Sequence, residues 1–162
     1  MGVIDSDARW CFAMFRGRYD HTVDEKGRTS IPVKFRELLV GAYDDRLVVT
    51  CQLDACLVAY PYAEWALLEE KLAQRSQFDP TIVELKRHFV ANAVECAVDK
   101  AGRVLLPQNL REYASITSEV VWVGQVKTIE LWAAPQWRAL QVDARAPQTV
   151  QALRAKLGGM GL

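Results

Sequence analysis

Residues 24–37 and 99–112 are two copies of one segment. Asp24-Glu25-Lys26-Gly27-Arg28-Thr29-Ser30-Ile31-Pro32-Val33-Lys34-Phe35-Arg36-Glu37 lies without a gap over Asp99-Lys100-Ala101-Gly102-Arg103-Val104-Leu105-Leu106-Pro107-Gln108-Asn109-Leu110-Arg111-Glu112, 75 residues on. Asp, Gly, Pro, Glu and two Arg coincide. The likeness continues at a slightly smaller offset, RLVVTCQ (46–52) over EVVWVGQ (119–125) and Trp65 over Trp137, as small loop deletions would leave it. The chain is a tandem duplication of a unit of roughly 70 residues, and two units are too few for a solenoid. Whatever fold forms must place the same element twice.

Each copy has the same local grammar. Gly27 and Gly102 sit in polar stretches between β-compatible runs, where glycine tolerates positive φ and makes a tight turn. Asp24 and Asp99 open these turns, where a carboxylate accepts from nearby backbone N–H groups. Residues 29–31 and 104–106 read as short strands, and Pro32 and Pro107 as helix starts, with helices at 32–40 and 107–114. Strand pairs follow at 46–52 with 56–60, and at 119–125 with 128–132. Helices are expected at 62–76, at 80–91 behind the Asp79-Pro80 cap, and at 147–157 before a frayed glycine-rich end. The units therefore span 14–61 and 94–137, with linking helices at 62–93 and a C-terminal helix and tail at 138–162. Residues 1–13 stand outside the duplication and read as a disordered extension.

Composition narrows the classes. Apolar residues at 51% and charged residues at 25% are ordinary for a globular chain. No apolar run reaches the roughly 20 residues of a membrane helix, and the acidic N-terminus does not read as an export signal, so a cytosolic protein is expected. Net charge is zero, but residues 14–40 carry six Lys/Arg against four Asp/Glu, and residues 41–98 five against nine. A positive surface must be local. Cys11, Cys51, Cys56 and Cys96 form no Cys-x-x-Cys pair and read as reduced, mostly buried thiols; neither metal nor cofactor is expected. Glu64, Glu69, Glu70 and Glu84 read as a solvated helical face.

The two histidines lie outside any catalytic pattern, and no phosphate-cradling glycine loop is present. An arginine and a glycine repeated in a turn suit binding better than turnover. Arg28 and Arg103 have two compatible roles: stapling the turn by pairing with Asp24 and Asp99, and projecting guanidinium forks, with Lys26 and Lys100 beside them, towards phosphates and guanine edges. Arg16 and Arg18 are expected to add a basic strand surface near the first turn. Arg36 and Arg111, on helices, are expected to make local salt bridges.

With these motifs on the page, MFRGRYDHTVDEKGRTSIPVKFRELL from Met14 resembles the N-terminus of the MraZ family, and DKAGRVLLPQNLRE resembles its second copy. The resemblance covers about residues 14–140 and includes Tyr60-Pro61, Glu64-Trp65 and Val123-Gly124-Gln125. It implies an α+β, mainly β fold: two tandem swapped-hairpin β-barrel units of the SpoVT-AbrB type, related by a pseudo-twofold axis and flanked by helices. It implies a bacterial regulator that binds short direct repeats in the promoter of a cell-division and cell-wall gene cluster, usually as a repressor, and assembles into rings. The family's Asp-x-x-x-Arg motifs, implicated in DNA contact, match Asp24 to Arg28 and Asp99 to Arg103. Family members usually begin at the equivalent of Met14.

A ring would repeat modest basic turns along spaced DNA repeats and raise avidity without new contacts. A duplicated chain closes its pseudo-twofold core unaided, leaving the flanking helices and Trp122, Trp132 and Trp137 as candidate surfaces between subunits, although Trp122, in mid-strand, suits a core. The rival readings are an AbrB-like dimeric antitoxin or regulator, and a protein-interaction scaffold with no DNA partner.

Overall fold

The computed structural model describes residues 14–162. The extension expected at 1–13 lies outside the described residues. In chain order the elements are β1 (Arg18–Thr22), β2 (Arg28–Ser30), α1 (Val33–Ala42), β3 (Arg46–Cys51), β4 (Leu57–Pro61), α2 (Tyr62–Ala73), α3 (Pro80–Leu85) and a π-helical turn (Lys86–Val90). The second half continues with β5 (Val94–Ala97), β6 (Arg103–Leu105), α4 (Gln108–Tyr113), β7 (Glu119–Gln125), β8 (Thr128–Ala133), α5 (Ala134–Ala144) and α6 (Pro147–Gly159). The fold is α+β, organised by its strands. No helix among the described residues is long and apolar enough to cross a membrane.

Six strands form one antiparallel sheet in the order β1-β7-β8-β4-β3-β5, and β2 pairs with β6 in a separate ribbon. The units exchange partners. β1 of the first lies on β7 of the second, with Tyr19 opposite Trp122, and β5 of the second lies on β3 of the first, with Cys96 opposite Leu47. In the ribbon, Arg28 faces Leu105, Thr29 faces Val104 and Ser30 faces Arg103. Exchanging the two copies reproduces that ladder, so a pseudo-twofold axis passes between Thr29 and Val104. The ribbon also touches both ends of the large sheet, β2 against β1 and β6 against β5. Two equivalent links hold it there. His21 Nδ1 donates to the Ser30 carbonyl (2.6 Å) and Cys96 Sγ to the Leu105 carbonyl (3.6 Å). His21 and Cys96 occupy matching positions of the repeat, an equivalence that their chemistry alone does not suggest.

Strands β3, β4, β7 and β8 are buried on both faces, which is why they read as nearly continuous apolar runs. Leu47, Val49, Leu57, Ala59, Val120, Trp122, Ile129 and Leu131 point to the main core, where Phe35, Leu39 and Leu110 of α1 and α4 and Val104 of the ribbon meet them. The intervening Val121, Val123 and Trp132 pack on the opposite face with Cys56, Ala134 and half-buried Trp137. Trp122 is fully buried and Trp132 is 5% exposed, so neither is a free surface between subunits. Trp122 is core, as its mid-strand position suggests, and strand alternation under α5 buries Trp132 within its own chain as well.

Several helices differ from expectation. α5 was not anticipated, and the helix expected over 80–91 becomes a π turn after Leu85, with Ala91 N donating to Lys86 O (3.0 Å). Thr50, on the outer face of β3, donates to the Phe89 carbonyl of that turn (2.6 Å). The glutamates are not uniformly solvated. Glu64 is half-buried and accepts from Tyr43 Oη (3.2 Å), and Glu69 accepts from Trp65 Nε1 (2.6 Å). Cys51, Cys56 and Cys96 are free and buried.

Candidate nucleic-acid interface

The two repeated turns are built identically in their bonding. Asp24 Oδ1 accepts from the backbone N–H groups of Lys26 (3.0 Å) and Arg28 (2.9 Å), and its Oδ2 accepts from Arg28 Nε (2.7 Å). Asp99 Oδ1 accepts from Ala101 N and Arg103 N (2.9 Å each), and its Oδ2 from Arg103 Nε (3.0 Å). Gly27 N and Gly102 N close each turn onto the aspartate carbonyl, and the aspartate N–H groups return to the carbonyls of Arg28 and Arg103. Gly27 has φ +88° and Gly102 +76°, the left-handed region in which side chains are strained. The turns are also sewn to each other: Ile31 N donates to Gly102 O and Leu106 N to Gly27 O, both at 2.9 Å.

This bonding leaves the arginines half free. Nε of each is committed to its aspartate, while the terminal nitrogens have no protein partner among the described residues, and the side chains are 33% and 34% exposed. Hydrogen bonds from Arg28 N–H, and likewise from Arg103 N–H, together with the adjacent guanidinium, hold the carboxyls of Asp24 and Asp99 below the ordinary value of 3.8, so both are anions throughout the neutral range.

Thr29 and Val104 point inward and are buried, so Arg28, Ser30, Arg103 and Leu105 share the ribbon's outer face. Arg28 and Arg103 are diagonal neighbours across the pair, about 7–8 Å apart at their bases. Lys26 and Lys100 are exposed at the turn tips but are not equivalent; the counterpart of Lys26 is Ala101, and that of Lys100 is Glu25. Arg16 and Arg18 do not join them. Arg18 begins β1, six residues of extended chain or about 20 Å from Asp24. Arg16, beyond it, lines a cleft with Met14, Tyr19 and Lys34.

Arg36 and Arg111 also differ from expectation, since neither is in an ion pair among the described residues. Each lies over the other unit's turn. The Arg111 guanidinium covers Gly27, with Nε 2.8 Å from where a Cβ would stand, and donates from Nε to Leu106 O (3.0 Å). Arg36 covers Gly102, its Nη1 filling the space a Cβ would need, and donates to Ala101 O (3.4 Å). A single-unit reading could not find this, because the partner turn lies 65 residues away in sequence. The signal was present as an arginine repeated at one helix position in both copies.

The arrangement is a cationic face on a two-stranded ribbon, with anions spent on holding arginines rather than on a reaction. A family model described as "MraZ protein, putative antitoxin-like" matches twice, at residues 14–88 and 89–158. The chain is similar to a transcriptional regulator MraZ of Caldicellulosiruptor saccharolyticus, 40% identical over 149 residues, covering 92% of this chain and all of that one. A relative of the same name from Caldicellulosiruptor bescii is 47% identical over 124 residues, 76% of this chain and 84% of that one. Another, from a Marinomonas species, is 38% identical over 144 residues, 88% and 95% of the two chains.

Proposed function

The chain belongs to the MraZ family and is a transcriptional regulator rather than an enzyme, and we propose that it acts by seating the β2–β6 ribbon in the major groove of promoter DNA. The observation that carries this reading is the shared outer face of Arg28 and Arg103, each fixed at Nε and open at its terminal nitrogens. A major groove about 12 Å wide admits a two-stranded ribbon, and bidentate arginine suits the O6 and N7 edge of guanine. The aspartates orient the forks in advance, so less side-chain freedom is lost on binding. Lys26 and Lys100 at the tips reach flanking phosphates. Arg16 and Arg18, on the far part of β1, are assigned no base contact.

The target is double-stranded DNA carrying direct repeats ahead of the cell-division and cell-wall gene cluster, and the effect is repression. The protein works in the cytoplasm, associated with the nucleoid, without a cofactor. One ribbon offers few phosphate contacts, so affinity comes from a ring-like homo-oligomer whose protomers engage successive repeats. Exposed Leu153 and Leu157 on α6, a helix with no buried residue, and Met160 just after it support a subunit contact there and not at Trp122 or Trp132.

The test is a titration of the DNA upstream of the protein's own gene, intact and with its repeats shuffled, at two salt concentrations. Preference for the intact repeats, weakening steeply with salt, is expected. Equal affinity for both sequences overturns the reading.

A further inference from the structure

Arg36 and Arg111 flank the ribbon's two turns without a part in base reading. Their positive charges are not matched by an ion pair among the described residues, and they sit beside the arginines assigned to DNA. We infer that they are phosphate-contacting members of the same interface, each completing the turn of the opposite unit. The inference rests on the ribbon reading and extends it to two further residues.

Geometry comes first. A flat guanidinium lies on the bare backbone of Gly27 or Gly102, in space only a missing side chain leaves open. Each of these glycines immediately precedes the arginine proposed to read bases, so Arg111 stands beside the Arg28 turn and Arg36 beside the Arg103 turn. One nitrogen of each is engaged, Arg111 Nε with Leu106 O and Arg36 Nη1 with Ala101 O, which fixes the plane of the group. The other donors have no protein partner among the described residues.

Charge is the second point. Within the two turns, Asp24 and Asp99 are paired with Arg28 and Arg103, leaving Glu25 as the unpaired acid. Were Arg36 and Arg111 only staples, a neutral donor would serve a backbone carbonyl as well, without the cost of holding two more cations near Arg28, Arg103, Lys26 and Lys100. A polyanion turns that clustering from a repulsion into an attraction. The planar fork can cover a peptide plane and face a phosphate together, and a phosphate contact needs only its positive charge.

The experiment measures the affinity of the full-length protein for its upstream DNA across a salt series, with Arg36→Gln, Arg111→Gln and Arg36→Lys as variants and Arg28→Ala as reference. Thermal unfolding and sedimentation establish that each variant is folded and assembled. A lost phosphate contact lowers the slope of log affinity against log salt by about 0.9 per engaged protomer, which near 0.15 M salt is about a fivefold weaker contact. Both Gln variants are expected to show this drop equally on intact and shuffled DNA, and Arg36→Lys is expected to keep the parental slope. Should Arg111→Gln not fold, exposed Arg36 carries the test. Gln variants with parental slope, even if weaker, overturn the inference while leaving the ribbon reading intact. An unaffected Arg28→Ala overturns the ribbon reading itself.

Discussion

The turn at Asp24–Arg28 and the turn at Asp99–Arg103 make the same hydrogen bonds with different residues at their tips. In both, one carboxylate accepts from backbone N–H groups two and four residues on and from the guanidinium, and a glycine with positive φ lets the chain return. Between these fixed points the first copy carries Glu25-Lys26 and the second Lys100-Ala101. Positions that contribute a side-chain bond, or the absence of a side chain, recur; positions that contribute only a backbone N–H do not. The turns differ also in their covers, since Arg111 over Gly27 is half-buried and tied to Leu106, whereas Arg36 over Gly102 is exposed.

The largest effects separate the arginines themselves. Arg28→Ala and Arg103→Ala are each expected to weaken operator binding by about 1–3 kcal/mol, with circular dichroism unchanged. The second turn lacks the acid that Glu25 adds to the first, so Arg103→Ala should cost at least as much. Binding isotherms on one operator rank the two. The next effect concerns stability, because alanine at either glycine must hold a positive φ at about 1–2 kcal/mol. Gly27→Ala also presses on half-buried Arg111, whereas exposed Arg36 has room to turn away from Gly102→Ala at the cost of its bond to Ala101. Urea denaturation should therefore place Gly27→Ala at the upper end of that range and Gly102→Ala at the lower.

A pH effect follows, common to both turns. Each aspartate has a folded pKa below its ordinary 3.8, so its contribution to stability is complete above that value and is lost as pH falls through the depressed one. Acid titration followed by circular dichroism should show these turns indifferent between pH 5 and 8 and weakening only below about pH 4. In Asp24→Asn with Asp99→Asn that part of the acid limb should be missing. The smallest effect is Glu25→Ala, which removes an exposed acid and should tighten DNA binding by less than about 1 kcal/mol, and less again in high salt.

What the sequence disclosed follows the range of the forces involved. The turns were legible because an aspartate, a glycine and an arginine at fixed spacing bond within five residues. β3, β4, β7 and β8 were legible because burial on both faces leaves continuous apolar runs. The exchange of β1 and β5 between units was available only through resemblance, since nothing in Arg18–Thr22 names β7 as its partner. Arg36 and Arg111 differ from expectation for the same reason: the glycines they cover, and the Ala101 carbonyl that Arg36 reaches, lie across the pseudo-twofold axis, although Arg111 donates to Leu106 of its own unit. α5 escaped because its apolar stripe is weak and most of its contact is with Trp132 and the strands beneath. The links from His21 to Ser30 and from Cys96 to Leu105 lie each within one unit, two different donors serving one carbonyl position of the repeat.

The central claim is that both turns act on DNA through one ribbon face, and the double substitution Arg28→Ala with Arg103→Ala tests it most directly. Fluorescence anisotropy on the upstream repeats, with the variant shown to sediment and unfold as the parent does, is expected to show loss of preference for intact over shuffled repeats and an affinity lower by about 2–6 kcal/mol per engaged ribbon. A folded, assembled double variant that still prefers the intact repeats with affinity within twofold of the parent would contradict the account.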